Sequence, residues 1–321
     1  MEQVASEEDV VRAAKIFSSL VNNVAQVIKG KNNVIHMSCV CLFAGGHLLI
    51  EDVPGVGKTT LAKSLAVSMG GSQNRIQFTP DLLPSDVTGT TIFDQTTNEF
   101  VFKPGPIFAN IVLADEINRA SPKTQSALLE SMEERRVTFD GQTYILPHPH
   151  MVIATQNPIE LSGTYTLPEA QLDRFMMSIS IGYPDEIDEV EIMMSTDSAP
   201  DIMAVMSTND YQEVSEIGRR VYVAESLAGY IVALAQETRE NVDVALGVSP
   251  RGSIALYHAA QILALSMGRH YVTPDDIKTL VTKVWEHRLV LTSQARLAGA
   301  TASDILASIL SRVNVPTVKA G

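Results

Sequence analysis

The sequence predicts an α/β chain: a mostly parallel sheet flanked by helices, followed by a small all-helical domain. Two observations predict it. From about His47 to Gly182, short apolar runs alternate with segments of helical periodicity, as expected for strands buried on both faces and joined by helices. From Asp210 onward the strand signal is nearly gone, and Ser-Pro and Thr-Pro pairs mark capped helices. With 321 residues the chain is long enough for two domains. The pattern divides it into an α/β domain over residues 1–185, an acidic helix end and linker over 186–209, and a helical domain over 210–321.

Taken in order, His47 to Glu51 reads as a strand, and Thr59 to Met69 as a helix with Leu61, Leu65 and Met69 on one face. Arg75 to Thr79 is a second strand. Thr90 to Lys103 alternates around Gln95–Asn98 and reads as a hairpin. Ile111 to Ala114 is a fully apolar strand that ends at Asp115-Glu116. Ser121 and Pro122 then start a helix that runs to about Glu134. Val137 to Leu146 forms a second hairpin around the turn dipeptide Asp140-Gly141. Met151 to Thr155 and Phe175 to Gly182 are further apolar strands. In the helical domain, Ser249 and Pro250 begin a helix ending near Gly268. Thr273-Pro274 begins another, with Ile277, Leu280, Val281 and Val284 on one face.

Composition narrows the class. With 45% hydrophobic and 19% charged residues, a wholly disordered chain is excluded. Lys and Arg number 24 against 37 Asp and Glu, a net charge of −13, and such a field argues against nucleic acid as the partner. The first hairpin agrees: Thr90 to Phe102 carries Asp94 and Glu99 and no Lys or Arg. Pro184 to Ile217 holds ten acids and no basic residue, read as a solvated helix face and linker. The 19 residues from Asn32 to Ile50 lack charge, but two Asn, two His and Gly45-Gly46 make them a buried helix, a turn and a strand rather than a membrane span. The acidic N-terminus lacks the pattern of a signal peptide, so a cytoplasmic location is expected. Cys39 and Cys41 are too few for a disulfide framework and are expected to be buried thiols. His148 and His150, without a companion cluster, read as loop residues, and Trp285 as core.

Chemistry is concentrated at Pro54-Gly55-Val56-Gly57-Lys58-Thr59-Thr60, between an apolar strand and a helix. Glycines let backbone N–H groups turn inward around phosphate oxygens, and the helix N-terminus favours an anion. Lys58 is placed to reach the β and γ phosphates of ATP, and the Thr59 hydroxyl to ligate magnesium. Position 52 holds Asp where the phosphate-loop pattern has Gly. A second site is needed for the metal, and Asp115-Glu116 supplies it: Asp115 holds Mg2+ through water, and Glu116 orients and deprotonates the attacking water. The bland alternatives are an unliganded strand–helix turn and acids that merely end a strand.

Gly57-Lys58-Thr59, Leu113-Ala114-Asp115-Glu116-Ile117-Asn118-Arg119-Ala120, Ala154-Thr155-Gln156-Asn157-Pro158 and Leu172-Asp173-Arg174-Phe175 together resemble, in order, the MoxR family of AAA+ ATPases. The resemblance spans about Val27 to Leu289 and implies an AAA+ phosphate-loop core with two hairpin inserts and a helical lid. It implies that Asn157 is the sensor 1 amide that helps position water. Arg174 resembles the family's arginine finger, offered to the γ-phosphate of a neighbouring subunit. Arg251 resembles sensor 2, where the lid touches the phosphates, and Ile28 and Gly30 resemble the segment that brackets adenine. Each arginine has a bland alternative: Arg174 a surface ion pair, while Arg119 reads equally as a second interface arginine or as an ion pair beside the metal site. A helix start is an unfavourable place for the positive charge of Arg251 unless an anion joins it. The resemblance further implies ATP/ADP and Mg2+ as ligands and a homo-oligomeric ring, expected to be a hexamer. It also implies hairpins facing a central pore, a partner with a von Willebrand factor A domain, and chaperone-like remodelling of partner proteins. The alternative is a nucleotide-gated assembly scaffold that hardly turns over because of Asp52.

Overall fold

Charge-free runs of Ile, Val, Leu and Ala supply most of the central sheet, because such residues can be buried on both faces. The computed structural model describes residues 4–96, 98–157, 164–194 and 201–316. Helices α1 (Glu7–Ala25) and α2 (Asn32–Phe43) precede β1 (Leu48–Glu51), α3 (Lys58–Ser68), β2 (Gln73–Gln77) and the short α4 (Pro84–Thr88). A hairpin of β3 (Gly89–Asp94) and β4 (Glu99–Pro104) leads to β5 (Ile111–Asp115) and α5 (Pro122–Glu134). A second hairpin, β6 (Arg136–Phe139) with β7 (Gln142–Ile145), leads to β8 (Met151–Gln156), α6 (Glu169–Leu172), β9 (Met177–Ile179) and α7 (Glu186–Met194). The helical part contains α8 (Thr208–Arg219), α9 (Glu225–Glu240), α10 (Pro250–Ser266), α11 (Pro274–Trp285), α12 (Ser293–Leu297) and α13 (Ala302–Arg312). A small antiparallel pair, β10 (Val244–Leu246) with β11 (Val290–Leu291), joins two of its loops.

The main sheet has the order β2-β5-β8-β1-β9, and every pairing in it is parallel. Side chains alternate between its faces. Leu48, Ile50, Leu113 and Ile153 enter one core with α1, α2, α3 and the helical part, while Leu49, Val112, Ala114 and Val152 enter the other with Leu128 and Leu129 of α5. Each large side chain so buried contributes roughly 1.5–3 kcal/mol. A one-residue register slip would exchange the two sets. The helical part shares the first core, because α1 and α2 pack against α8 and α10.

Both hairpins form as expected, and the capping signals hold. Ser121 accepts a hydrogen bond from the Thr124 N–H at 3.4 Å, Ser249 from that of Gly252 at 3.2 Å, and Thr273 forms a capping box with Asp276. The uncharged run is α2, a turn and β1, and among the described residues no helix is long and apolar enough to cross a membrane. Cys39 and Cys41 are free, buried thiols whose pKa burial pushes up. Trp285 is fully buried and donates from its ring N–H to the Gly252 carbonyl at 2.9 Å.

Two expectations are corrected. Strand β2 lies two residues earlier than expected, because its register runs from Gln73 opposite Ile111 to Gln77 opposite Asp115. Strand β9 covers only Met177–Ile179, since the N–H groups of Ile181 and Gly182 turn to the Asp52 carboxylate instead of continuing the β1 ladder. His148 and His150 lie in a loop as expected, but His150 is buried there: its Nδ1 hydrogen-bonds the Ala109 carbonyl at 2.8 Å and its ring meets that of His47 edge-on. Burial lowers the pKa of both imidazoles, to about 4 for His150 and about 3 for His47, so both are neutral at pH 7.

Candidate nucleotide site

The chain leaves β1 at Glu51, curls through residues 52–57 and enters α3 at Lys58. Gly55 and Gly57 have φ of 89° and 94°, in the left-handed region, with open space where a Cβ would stand. Glycine is therefore required by backbone conformation and not by crowding. Lys58 lies over its own loop, Nζ donating to the Asp52 carbonyl at 2.9 Å. A cleft of about 380 Å³ opens here, lined by Pro54, Gly55, Gly57, Lys58, Thr59 and Thr60 on one side and by Arg75, Gln77, Asp115, Glu116 and Asn157 on the other. A second lobe of about 560 Å³ shares Pro54, Gly55, Gly57 and Thr60, and adds Val56, Ile28, Lys31, Tyr183 and Ile192. Its apolar walls suit a flat base next to a polar phosphate seat. Gly30 is not among the residues that line this lobe; its φ is 68°, and a Cβ there would collide with the Asp188 carboxylate on α7.

The acidic pair stands where β5 ends, and its surroundings fix both carboxylates. Thr155 Oγ donates to Asp115 Oδ1 at 2.6 Å and accepts from the Glu116 N–H at 2.9 Å. Arg75 donates to Asp115 Oδ2 at 2.6 Å. Gln77 and Arg119 donate to Glu116 Oε2 at 2.8 and 3.0 Å, so Arg119 is found in the ion pair that was its bland alternative. Glu116 has φ 56° and ψ 48°, a left-handed conformation costing on the order of 1–3 kcal/mol for a non-glycine residue. A hydroxyl at Thr59 and one carboxylate at Asp115 are few ligands for a free cation. They fit Mg2+, which takes one or two protein oxygens and completes its shell with water and phosphate. Among the described residues no cluster of three His, Cys, Asp or Glu forms a metal cage.

Arg174 and Arg251 do not line this cleft. They meet at Glu133, at the end of α5: Arg174 Nε lies 3.2 Å from Oε2, and Arg251 donates to Oε1 at 2.9 Å. Between them, Asp173 Oδ2 accepts from Ser249 Oγ at 2.9 Å and Oδ1 accepts from Arg288 Nε at 2.8 Å. Arg288, only 5% exposed, also donates to the carbonyls of Asp173, Phe175, Met176 and Val284. One buried guanidinium thus holds the segment carrying Arg174 against the helical part carrying Arg251.

Residues 47–177 match the ATPase family associated with various cellular activities (AAA), and residues 236–309 match the AAA lid domain. The chain is 48% identical over 304 residues to the uncharacterized protein YeaC of Bacillus subtilis, covering 94% of this chain and 95% of that protein. It is 42% identical over 307 residues to Chaperone MoxR1 of Mycobacterium tuberculosis, covering 92% of this chain and 81% of that protein. The chain belongs to the MoxR family of AAA+ ATPases. A solved structure of a Cytophaga hutchinsonii protein classed as an ATPase superposes with a TM-score of 0.91 at 39% identity, covering 97% of this chain and 98% of that one.

The AAA+ core and lid of this MoxR-family chain therefore bring Lys58, Thr59, Asp115, Glu116 and Asn157 to one cleft, with Ile28 in the adjoining lobe. Arg75, Gln77, Glu133, Asp173 and Arg288 escape sequence reasoning. A signal for the first two existed: Arg75-Ile76-Gln77 alternates polar, apolar, polar in a sheet otherwise buried on both faces. Arg288 could have been noticed as the one guanidinium in the largely apolar run from Val284 to Leu291. Asp173 stands inside the Leu172–Phe175 motif, and for Glu133 no local signal exists.

Lys58→Ala is expected to weaken ATP binding by about a hundredfold or more, because a charge-assisted hydrogen bond to phosphate is removed. Melting without nucleotide should be unchanged, since the ammonium bonds only a loop carbonyl. Calorimetric titration with ATP checks this; unaltered affinity would put the phosphate seat elsewhere.

Proposed function

We propose that this chain hydrolyses ATP with Mg2+ as a ring, expected to be a hexamer, in which each active site is completed by the neighbouring subunit, and that the cycle remodels partner proteins. The observation that carries this reading is the separation of two groups of residues. Lys58, Thr59, Asp115, Glu116 and Asn157 line one cleft, while Arg174 and Arg251 gather on Glu133 outside it. Among the described residues, a single subunit then has a phosphate seat and a base, but the guanidiniums near them are tied to its own acids. The same pairing sets Arg251 beside Arg174 on Glu133, and its sensor 2 role remains part of this proposal.

In this reading Lys58 and the loop N–H groups hold the β and γ phosphates. Glu116 takes a proton from the attacking water, which the Asn157 amide helps to orient. Arg174 of one subunit meets the charge that develops on the neighbour's γ-phosphate. Thr59 and Asp115 would hold Mg2+, which would supply charge neutralisation to the phosphates. Support for a chaperone-like role comes from the name of the Mycobacterium relative and from the β3–β4 hairpin, where Phe93 and Phe100 are exposed and offer an apolar surface to a client. A partner with a von Willebrand factor A domain and a cytoplasmic site of action belong to the same proposal.

Steady-state phosphate release per subunit, measured across protein concentration, tests it. Specific activity should rise as rings form. Equal activity per subunit down to concentrations at which the protein sediments as a monomer would defeat the shared site. Tight ATP binding without turnover at any concentration would favour the scaffold.

A further inference from the structure

Asp52 occupies the position where the phosphate-loop pattern has glycine, and it is only 7% exposed. Its carboxylate does not face the phosphate cleft, which Asp52 does not line. Oδ2 accepts from the N–H groups of Ile181 and Gly182 at 2.6 and 2.7 Å and from Ser180 Oγ at 3.0 Å; Oδ1 accepts from the Val53 N–H at 3.0 Å. Its own N–H donates to the Gln156 carbonyl at 3.1 Å, one residue before Asn157.

The topology explains why an acceptor is needed here. β9 is an edge strand whose partner is β1, and the ladder runs only as far as Ile50 opposite Ile179. Beyond that point β1 bends away into the phosphate loop, and the N–H groups of Ile181 and Gly182 lose the carbonyls that a continuing strand would offer. Buried N–H groups left without acceptors are costly. One carboxylate serves both and adds a serine hydroxyl. The segment it holds then forms the wall of the base-side lobe: Gly182, Tyr183 and Pro184 line it, and Lys31 donates to the Tyr183 carbonyl at 2.6 Å from the opposite side.

We propose that Asp52 is a positioning residue for nucleotide binding: it ties the wall at Gly182–Pro184 to the start of the phosphate loop, so that base and triphosphate are gripped in one fixed register. The inference rests on the reading of the cleft as the ATP site. Burial pushes the carboxyl up, and the hydrogen bonds from Gly182, Ile181, Ser180 and Val53 outweigh that effect, leaving its pKa below the ordinary carboxylate value. The group is therefore ionised at neutral pH, the form that accepts all four bonds. In this arrangement aspartate at position 52 serves nucleotide binding and is no defect of the loop.

The test compares ATP with inorganic tripolyphosphate, which has the phosphates but no base, by calorimetry on wild type, Asp52→Gly and Ser180→Ala. Asp52→Gly restores the loop pattern but removes the tie. Its ATP affinity is expected to fall about tenfold or more while tripolyphosphate affinity changes less than about threefold, so that the advantage of ATP over tripolyphosphate collapses. Ser180→Ala removes one of the four bonds and keeps the fold should the glycine variant lose it; it should shift the same ratio in the same direction by about two- to threefold. Equal weakening of both ligands, or an unchanged ratio in both variants, overturns the proposal. Wild type that binds neither ligand would instead overturn the nucleotide reading itself, and this inference with it.

Discussion

Arg174→Ala is expected to bind ATP within about threefold of wild type yet to hydrolyse it on the order of 10³–10⁵ more slowly, the range for a guanidinium that meets transition-state charge. Stability should hardly change. Within the subunit the guanidinium forms a partly exposed ion pair with Glu133, and such pairs contribute about 0–1 kcal/mol. Glu133 also keeps its second partner, Arg251. Mixing makes the result specific to a ring. Arg174→Ala and Glu116→Gln damage different halves of a composite site, so a mixed ring contains junctions with an intact Glu116 facing an intact Arg174. Phosphate release in the mixture should exceed that of either variant alone and vanish on dilution. Wild-type turnover by Arg174→Ala would remove the finger assignment. Arg251, which shares Glu133, would then be the next candidate, ahead of Arg119, which is engaged with Glu116 of its own cleft.

Glu116→Gln is expected to keep ATP affinity and lower turnover by roughly 10²–10⁴, the contribution of a positioned general base. Glutamine keeps a side-chain oxygen where Gln77 and Arg119 donate, and it leaves unchanged the bond from the residue-116 N–H to Thr155. What it cannot do is accept a proton from water. Single-turnover phosphate release separates this from a binding defect. Turnover near wild type, or loss of binding together with turnover, would mean that Glu116 is not the base.

The phosphate loop was legible because its signals are local: two glycines before Lys-Thr, an apolar strand ahead and a helix behind. Asp115 and Glu116 were legible for the same reason, as charges directly after four buried apolar residues. Other features were not. Arg75 and Gln77 sit on a strand that reads as polar in isolation, and only its parallel register against β5 brings Gln77 opposite Asp115. Asp52 looked like a flaw in a motif until the edge strand supplied the N–H groups that need it. Arg174 and Arg251 were singled out by motif, but that they share one carboxylate depends on how α10 packs beside α5 and the Asp173 segment.

The sequence by itself determined the α/β order, the two hairpins, the helix caps and the glycine-rich loop between β1 and α3. These follow from periodicity, capping and turn chemistry, interactions that reach only a few residues along the chain. The tertiary structure alone decided which charge meets which. Asp52 bonds Gly182 across 130 residues, Arg251 reaches Glu133 across 118, and Arg288 reaches Asp173 across 115. Such pairings arise from strand order and from the seating of the helical domain on the sheet, and no pattern confined to neighbouring residues carries them.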